Sequence, residues 1–198
     1  MTDRTASLTR KTGETAVALR LGLGGTGAGS RATGVGFLDH MLDLLARHGR
    51  LDLEVSVTGD LQTGAHHTVE DTGIVLGQAL DAALGDRRGI RRYGHAVVPM
   101  DEARAACAVD ISGRPYCAFR GLPLPPGDIA GFEHEAAEEC FRAVASAARL
   151  TLHLDLQAGT NTHHMIEACF KAFARALRTA VAIDPEETGV PSTKGTLT

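Results

Sequence analysis

Two stretches far apart in the chain share one pattern: "GAHHTVED" at Gly64–Asp71 and "NTHHMIEA" at Asn161–Ala168. Each holds two adjacent histidines and a glutamate four residues after the first, and the likeness extends beyond them. A shift of 99 lays "RLDLEV" at Arg50–Val55 on "RLTLHL" at Arg149–Leu154, matching Arg with Arg and three apolar strand positions with Leu. With a two-residue gap, "DLQTGAHHTVE" then aligns with "DLQAGTNTHHMIE", so that His66, His67 and Glu70 fall on His163, His164 and Glu167 at an offset of 97. Ala79 and Leu80 fall on Ala176 and Leu177 in the same way. Duplication on this scale constrains the fold more than any single motif. Two copies are too few for a solenoid, so the expected fold is α+β, a pair of similar halves at 1–91 and 92–198. Each half is expected to be a small mixed sheet with two helices packed on one face.

Hydrophobic periodicity supports that layout. "TAVALRLGLG" alternates like a strand, and "FLDHMLDLLARHG" sets Phe37, Met41, Leu44 and Leu45 at helical spacing before Gly49. "RLDLEVSV" alternates again, and "HHTVEDTGIVLGQALDAALG" reads as a second helix ending near Gly85. "AACAVDISGRPYCAFRG" reads as strands and "LPLPPGD" as an exposed loop before the second unit's first helix. "GLGGTG" at Gly22–Gly27 fits the spacing of a dinucleotide loop, but "AGSRATGVGF" follows where that fold needs a helix, so it is expected to be a turn between strands.

Composition excludes several classes. With a formal charge of −4 and basic residues scattered, the chain lacks the basic face of a nucleic-acid binder, and no apolar run approaches a membrane span. The N-terminal "MTDRTASLTRKTGET" has no apolar stretch for a signal sequence, so a cytoplasmic location is expected. Cys107, Cys117, Cys140 and Cys169 lack metal-type spacing and are expected to be small buried hydrophobes.

The chemistry sits in the duplicated histidines. Residues i and i+4 share a helix face, so His66 and Glu70 can converge on one ion, while His67 points about 100° away toward another. The same holds for His163 with Glu167, and for His164. Imidazole and carboxylate without thiolate suit Mn, Fe or Zn. His40 lies on the helix before the first pair, and the shift of 99 places Glu139 opposite it. His134 lies five residues before Glu139 and offers an imidazole from a different backbone position; it is the favoured ligand of the two. Arg92, Arg114, Lys171 and Lys194 gain meaning only if an anion binds.

Taken in order, "FLDHMLDLLARHG", "GDLQTGAHHTVEDTGIVLGQAL", "RRYGHAVVPMDEA", "VDISGRP", "HHMIEACFKAFARAL" and "PSTKG" resemble the imidazoleglycerol-phosphate dehydratase family of histidine biosynthesis over almost the whole chain. The resemblance implies a shell of 24 subunits built from trimers, with two Mn(II) ions per active site formed between neighbouring subunits. It implies metal ligation by His40, His66, His67, Glu70, His163, His164 and Glu167. The family's remaining ligand is a histidine usually found where Glu139 stands, with His134 the displaced alternative. Ala65 departs from the aspartate common before the first pair, which removes a contact that would orient a ligand. The implied substrate, D-erythro-imidazole-glycerol phosphate, would have its phosphate held by Arg92, Arg114, Lys171, Ser192 and Lys194. Glu14 matches a glutamate that transfers a proton, Glu70 and Glu167 belong to the catalytic centre as ligands, and Asp101 and Glu102 have supporting roles. Two other classes fit parts of the pattern: a dimetal phosphate-ester hydrolase, and a non-catalytic module assembled by metal.

Overall fold

In the computed structural model, which describes residues 4–197, alternation becomes burial. β1 (Thr5–Lys11) and β2 (Thr15–Leu23) form an antiparallel hairpin, and β2 runs antiparallel to β4 (Leu51–Gly59). The register sets Val17 against Val57, Leu19 against Val55 and Leu21 against Leu53, so all six side chains enter the core from one face. A short β3 (Arg31–Ala32) joins β4 in parallel, and the order is β1-β2-β4-β3.

The second sheet repeats this topology strand for strand. β5 (Tyr93–Met100), β6 (Ala103–Asp110), β7 (Tyr116–Gly121) and β10 (Thr151–Ala158) are ordered β5-β6-β10-β7, with one parallel pair, β10 and β7. The duplication expected from the sequence is thus present in the fold. A small hairpin of β8 (Asp128–Ile129) and β9 (Phe132–Glu133) follows the exposed "LPLPPGD" loop and has no counterpart in the first half. The offset of 99 holds along the strands, where Leu150, Leu152, Leu154 and Leu156 are buried as Leu51, Leu53, Val55 and Val57 are. The "DLQ" match does not survive: Asp60 precedes a 3-10 turn at Leu61–Thr63, whereas Asp155 lies inside β10. Local identity lost there to the strand's own register.

Helices α1 (Gly36–Gly49) and α2 (His66–Leu84) belong to the first half, α3 (Ala136–Ala147) and α4 (Thr162–Ala180) to the second. Each long helix, α2 or α4, covers its own sheet, but each short helix lies chiefly along the long helix of the other half, α1 on α4 and α3 on α2. Each short helix also packs on its own sheet, α1 against β3 and β4 and α3 against β7, so each half keeps its two helices on its sheet as expected, and the helices of the two halves meet between the sheets. Glycine permits one of these contacts. A Cβ on Gly73 would stand 2.9 Å from Ala143 Cβ, and one on Gly77 2.7 Å from Val144 O, so α2 and α3 approach closely only because both positions lack a side chain. Cys107, Cys140 and Cys169 are free and buried, as expected for small hydrophobes, whereas Cys117, on β7 at the edge of its sheet, is free and only partly buried.

Candidate active site

The packing of α1 along α4 assembles the best-defined cluster. His40 on α1 and His163 and Glu167 on α4 present ligand atoms that all lie within 4.8 Å of one another. Glu167 Oε2 lies 3.1 Å from His163 Nε2 and 3.4 Å from His40 Nε2. Phe37 packs edge-on against the His163 ring at 5.0 Å and helps fix its orientation. Only 7% of the Glu167 side chain is exposed, and burial pushes its carboxyl up; Lys171, with Nζ 2.5 Å from Oε1, outweighs this with His40 and His163 and holds it below the ordinary glutamate value. The carboxylate is therefore charged and ready to accept a cation.

His164 points elsewhere, as helix geometry requires. Its Nδ1 lies 2.7 Å from Glu102 Oε2 in the β5–β6 turn, and its Nε2 is 4.0 Å from Asp101. Glu102 also accepts the Thr160 and Asn161 amides at the start of α4, and the His164 contact with these bonds pushes its carboxyl down to about 2. In the first half, His67 Nδ1 lies 3.0 Å from Asp60, and its Nε2 faces Glu14 in the β1–β2 turn at 3.8 Å. The hydrogen bond to Asp60 raises the His67 pKa. An acid at each hairpin tip thus faces the second histidine of each pair. Asp60 was not legible as functional, and its only signal was its place in the loop leading to the pair.

His66 and Glu70 share a face of α2, with Nε2 and Oε2 3.8 Å apart, but they are 55% and 45% exposed. Glu139 borders the same groove as Glu70 and leans toward Arg142 at 4.0 Å. His134 is buried after β9, and its Nδ1 is 2.7 Å from the Pro125 carbonyl. A carbonyl only accepts, so Nδ1 carries the proton and Nε2 keeps its lone pair, with no hydrogen-bond partner among the described residues. That is the arrangement a metal-binding imidazole adopts. Ala65 supplies no cap of its own to α2, but its amide donates to Glu133, whose two carboxylate oxygens are each 3.3 Å away.

The basic residues fall into two groups. The Arg92 guanidinium is held by Asp110 and donates to Pro191 O at 2.9 Å, which draws the tail with Ser192 and Lys194 beside it. Gly113, next to Arg114, lies against the backbone of Leu197. Lys171 stands apart on α4, paired with Glu167. The Arg92 amide donates to Ala180 O, at the opposite end of α4 from His163 and about 25 Å away along the helix axis. A single chain therefore separates its tail cluster from its imidazole–carboxylate cluster.

The fold is an internally duplicated α+β architecture with a histidine–glutamate cluster between its helices, and its relatives are enzymes. The chain belongs to the imidazoleglycerol-phosphate dehydratase family, whose model matches residues 33–177, and is a hydro-lyase. It is 57% identical over 197 residues to the imidazoleglycerol-phosphate dehydratase of Symbiobacterium thermophilum, covering 100% of this chain and 94% of that one. The Jannaschia sp. enzyme is 53% identical over 195 residues, covering 98% and 100%. Among solved structures, the Staphylococcus aureus dehydratase superposes with a TM-score of 0.82 at 42% identity, covering 91% of this chain and 99% of that one. The Pyrococcus furiosus enzyme, in complex with (S)-C348, gives 0.82 at 35%, covering 96% and 100%. No helix among the described residues is long and apolar enough to cross a membrane.

Proposed function

We propose that this protein dehydrates D-erythro-imidazole-glycerol phosphate to imidazole-acetol phosphate in histidine biosynthesis, in the cytoplasm, using two Mn(II) ions per site. The observation that carries the reading is the convergence of His40, His163 and Glu167 around a buried, charged carboxylate. Nitrogen and oxygen donors without thiolate fit a borderline or hard divalent ion, and the free Nε2 of buried His134 adds a further donor. In this reading His40, His163 and Glu167 hold one part of the metal centre, while His66, His67, Glu70, His164 and His134 supply the other ligands. When bound, the ions supply Lewis acidity and a template for the imidazole ring.

The chain's own residues have three tasks. Arg92, Arg114, Ser192 and Lys194 hold the phosphate. The roughly 25 Å between that group and His163 exceeds the reach of a three-carbon phosphate ester, so the complete site requires a neighbouring copy. This supports a homo-oligomer with active sites between subunits, built from trimers into a 24-subunit shell. Lys171, by its pairing with Glu167, keeps that carboxylate ionised and can turn to the phosphate when a cation replaces it. Glu14 moves a proton at the carbon chain beside the ring, where no carbonyl acidifies the C–H bond, in forming the enol and then the ketone.

The test is turnover by chelator-stripped protein with and without added Mn(II), following ketone and inorganic phosphate together. Ketone that depends on Mn(II) is expected. Phosphate release instead would favour the hydrolase, and metal bound without either product would leave an assembly module.

A further inference from the structure

The last turns of α1 and α4 meet beside the glycine-rich loop around a cavity of about 350 Å³ lined by Thr26, Arg47, Arg50 and Arg178. Among the described residues, no carboxylate lies within ion-pair distance of these three guanidiniums, in contrast to Arg92, paired with Asp110, and Arg142, paired with Glu138. Asp52, on β4 facing the loop, is committed: its Oδ1 accepts the amides of Thr26, Gly27 and Ala28 at 2.8, 3.1 and 3.0 Å. "GLGGTG" is therefore a cradle for an internal carboxylate, which shapes the rim of the cavity.

Two structural explanations for the cluster fall short. Cations near helix C-termini gain from the macrodipole, and Arg47 and Arg178 stand in last turns, but α2 and α3 end with no basic residue in theirs. The duplication supplies an internal control as well. At the same offsets of 99 and 97, the other half places Ser146 where Arg47 stands and Asp81 where Arg178 stands, and it has the same fold. Only Arg50 has an arginine counterpart, Arg149, and both take the left-handed conformation. The three-arginine array is thus not demanded by the architecture. Burial, then Arg50 and Arg175, depress the Arg178 pKa, as expected where like charges gather without a counter-ion.

We infer that this cavity binds a small anion with linked phosphate groups, at a site separate from the phosphate-holding group of the proposed reaction. Guanidiniums engage phosphate oxygens in pairs, so three forks match about six oxygens, more than one phosphate group carries.

The experiment is calorimetric titration of the assembled protein with pyrophosphate, and with inorganic phosphate in parallel. Wild type should show two classes of pyrophosphate site. Arg50→Gln with Arg178→Gln should weaken one class by about tenfold or more, consistent with losing charge-assisted hydrogen bonds, and leave turnover unchanged. Lys194→Ala should weaken only the other class. Arg50→Lys, which keeps the charge but loses the fork, should weaken the arginine class by less than the double substitution does. A single class removed by Lys194→Ala, an isotherm unchanged by the double substitution, or inorganic phosphate binding the arginine class as tightly as pyrophosphate would each overturn the assignment. So would loss of assembly in the double variant without any arginine-class binding in wild type, because a neighbouring subunit's acids would then fill the cavity.

Discussion

The two His-His-x-x-Glu motifs are near copies in sequence, yet they stand in different surroundings. On α4, Glu167 is buried, joined by His163 and His40, and balanced by Lys171. On α2, His66 and Glu70 are half exposed, and the position matching His40 is Glu139, whose partner is Arg142. One motif is closed within a single chain and the other is open. The difference lies in what the short helices bring: α1 delivers an imidazole to α4, whereas α3 delivers a carboxylate to the neighbourhood of α2. Identical motifs acquire different surroundings from the helix laid beside them.

The comparison breaks most easily at the buried carboxylate. Glu167→Ala should lower bound metal and cut turnover by at least about 100-fold, the upper end for outer-shell substitutions, since it removes a proposed direct ligand and leaves Lys171 unpaired. Glu70→Ala should lower metal content as well. Full metal occupancy by elemental analysis in either variant would remove that glutamate from the ligand set. Glu14→Gln should keep metal and substrate bound yet slow turnover by roughly 100-fold, and near-normal kcat would take Glu14 out of the chemistry.

The asymmetry at the short helices gives a sharper contrast. His134→Ala should cost bound metal and Glu139→Ala should not, because His134 keeps a buried lone pair free whereas Glu139 is half exposed beside Arg142. Metal loss from Glu139→Ala alone would restore the symmetric reading. The smallest effect concerns the helix starts. Asn161 accepts the His163 amide at 3.0 Å and caps α4, so Asn161→Ala should cost about 1 kcal/mol in a denaturant titration. Ala65→Gly, at the uncapped start of α2, should leave that amide bond to Glu133 in place and cost less.

Much of this is legible in the sequence. Strict alternation marked β2 and β4, and 3.6-residue spacing marked α1 and α2, because a half-buried strand and a surface helix each need that one pattern. The hairpin strand β1 escaped notice because it is an edge strand with no fully buried side chain, so its sequence carries little apolar alternation. Glu133 and Asp60 escaped too, since each acts on a residue that only packing brings near.

The sequence by itself determined that the chain is a duplicated α+β unit with paired histidines at fixed helical spacing, because periodicity and local spacing are properties of neighbours along the chain. Only the tertiary structure decided which helix lies on which. It set His40, 127 residues from Glu167, beside that carboxylate, left His66 and Glu70 open, and put Arg92 at the far end of α4. Such choices rest on side-chain packing between distant segments, such as the approach of α3 to Gly73 and Gly77, and no local pattern records them.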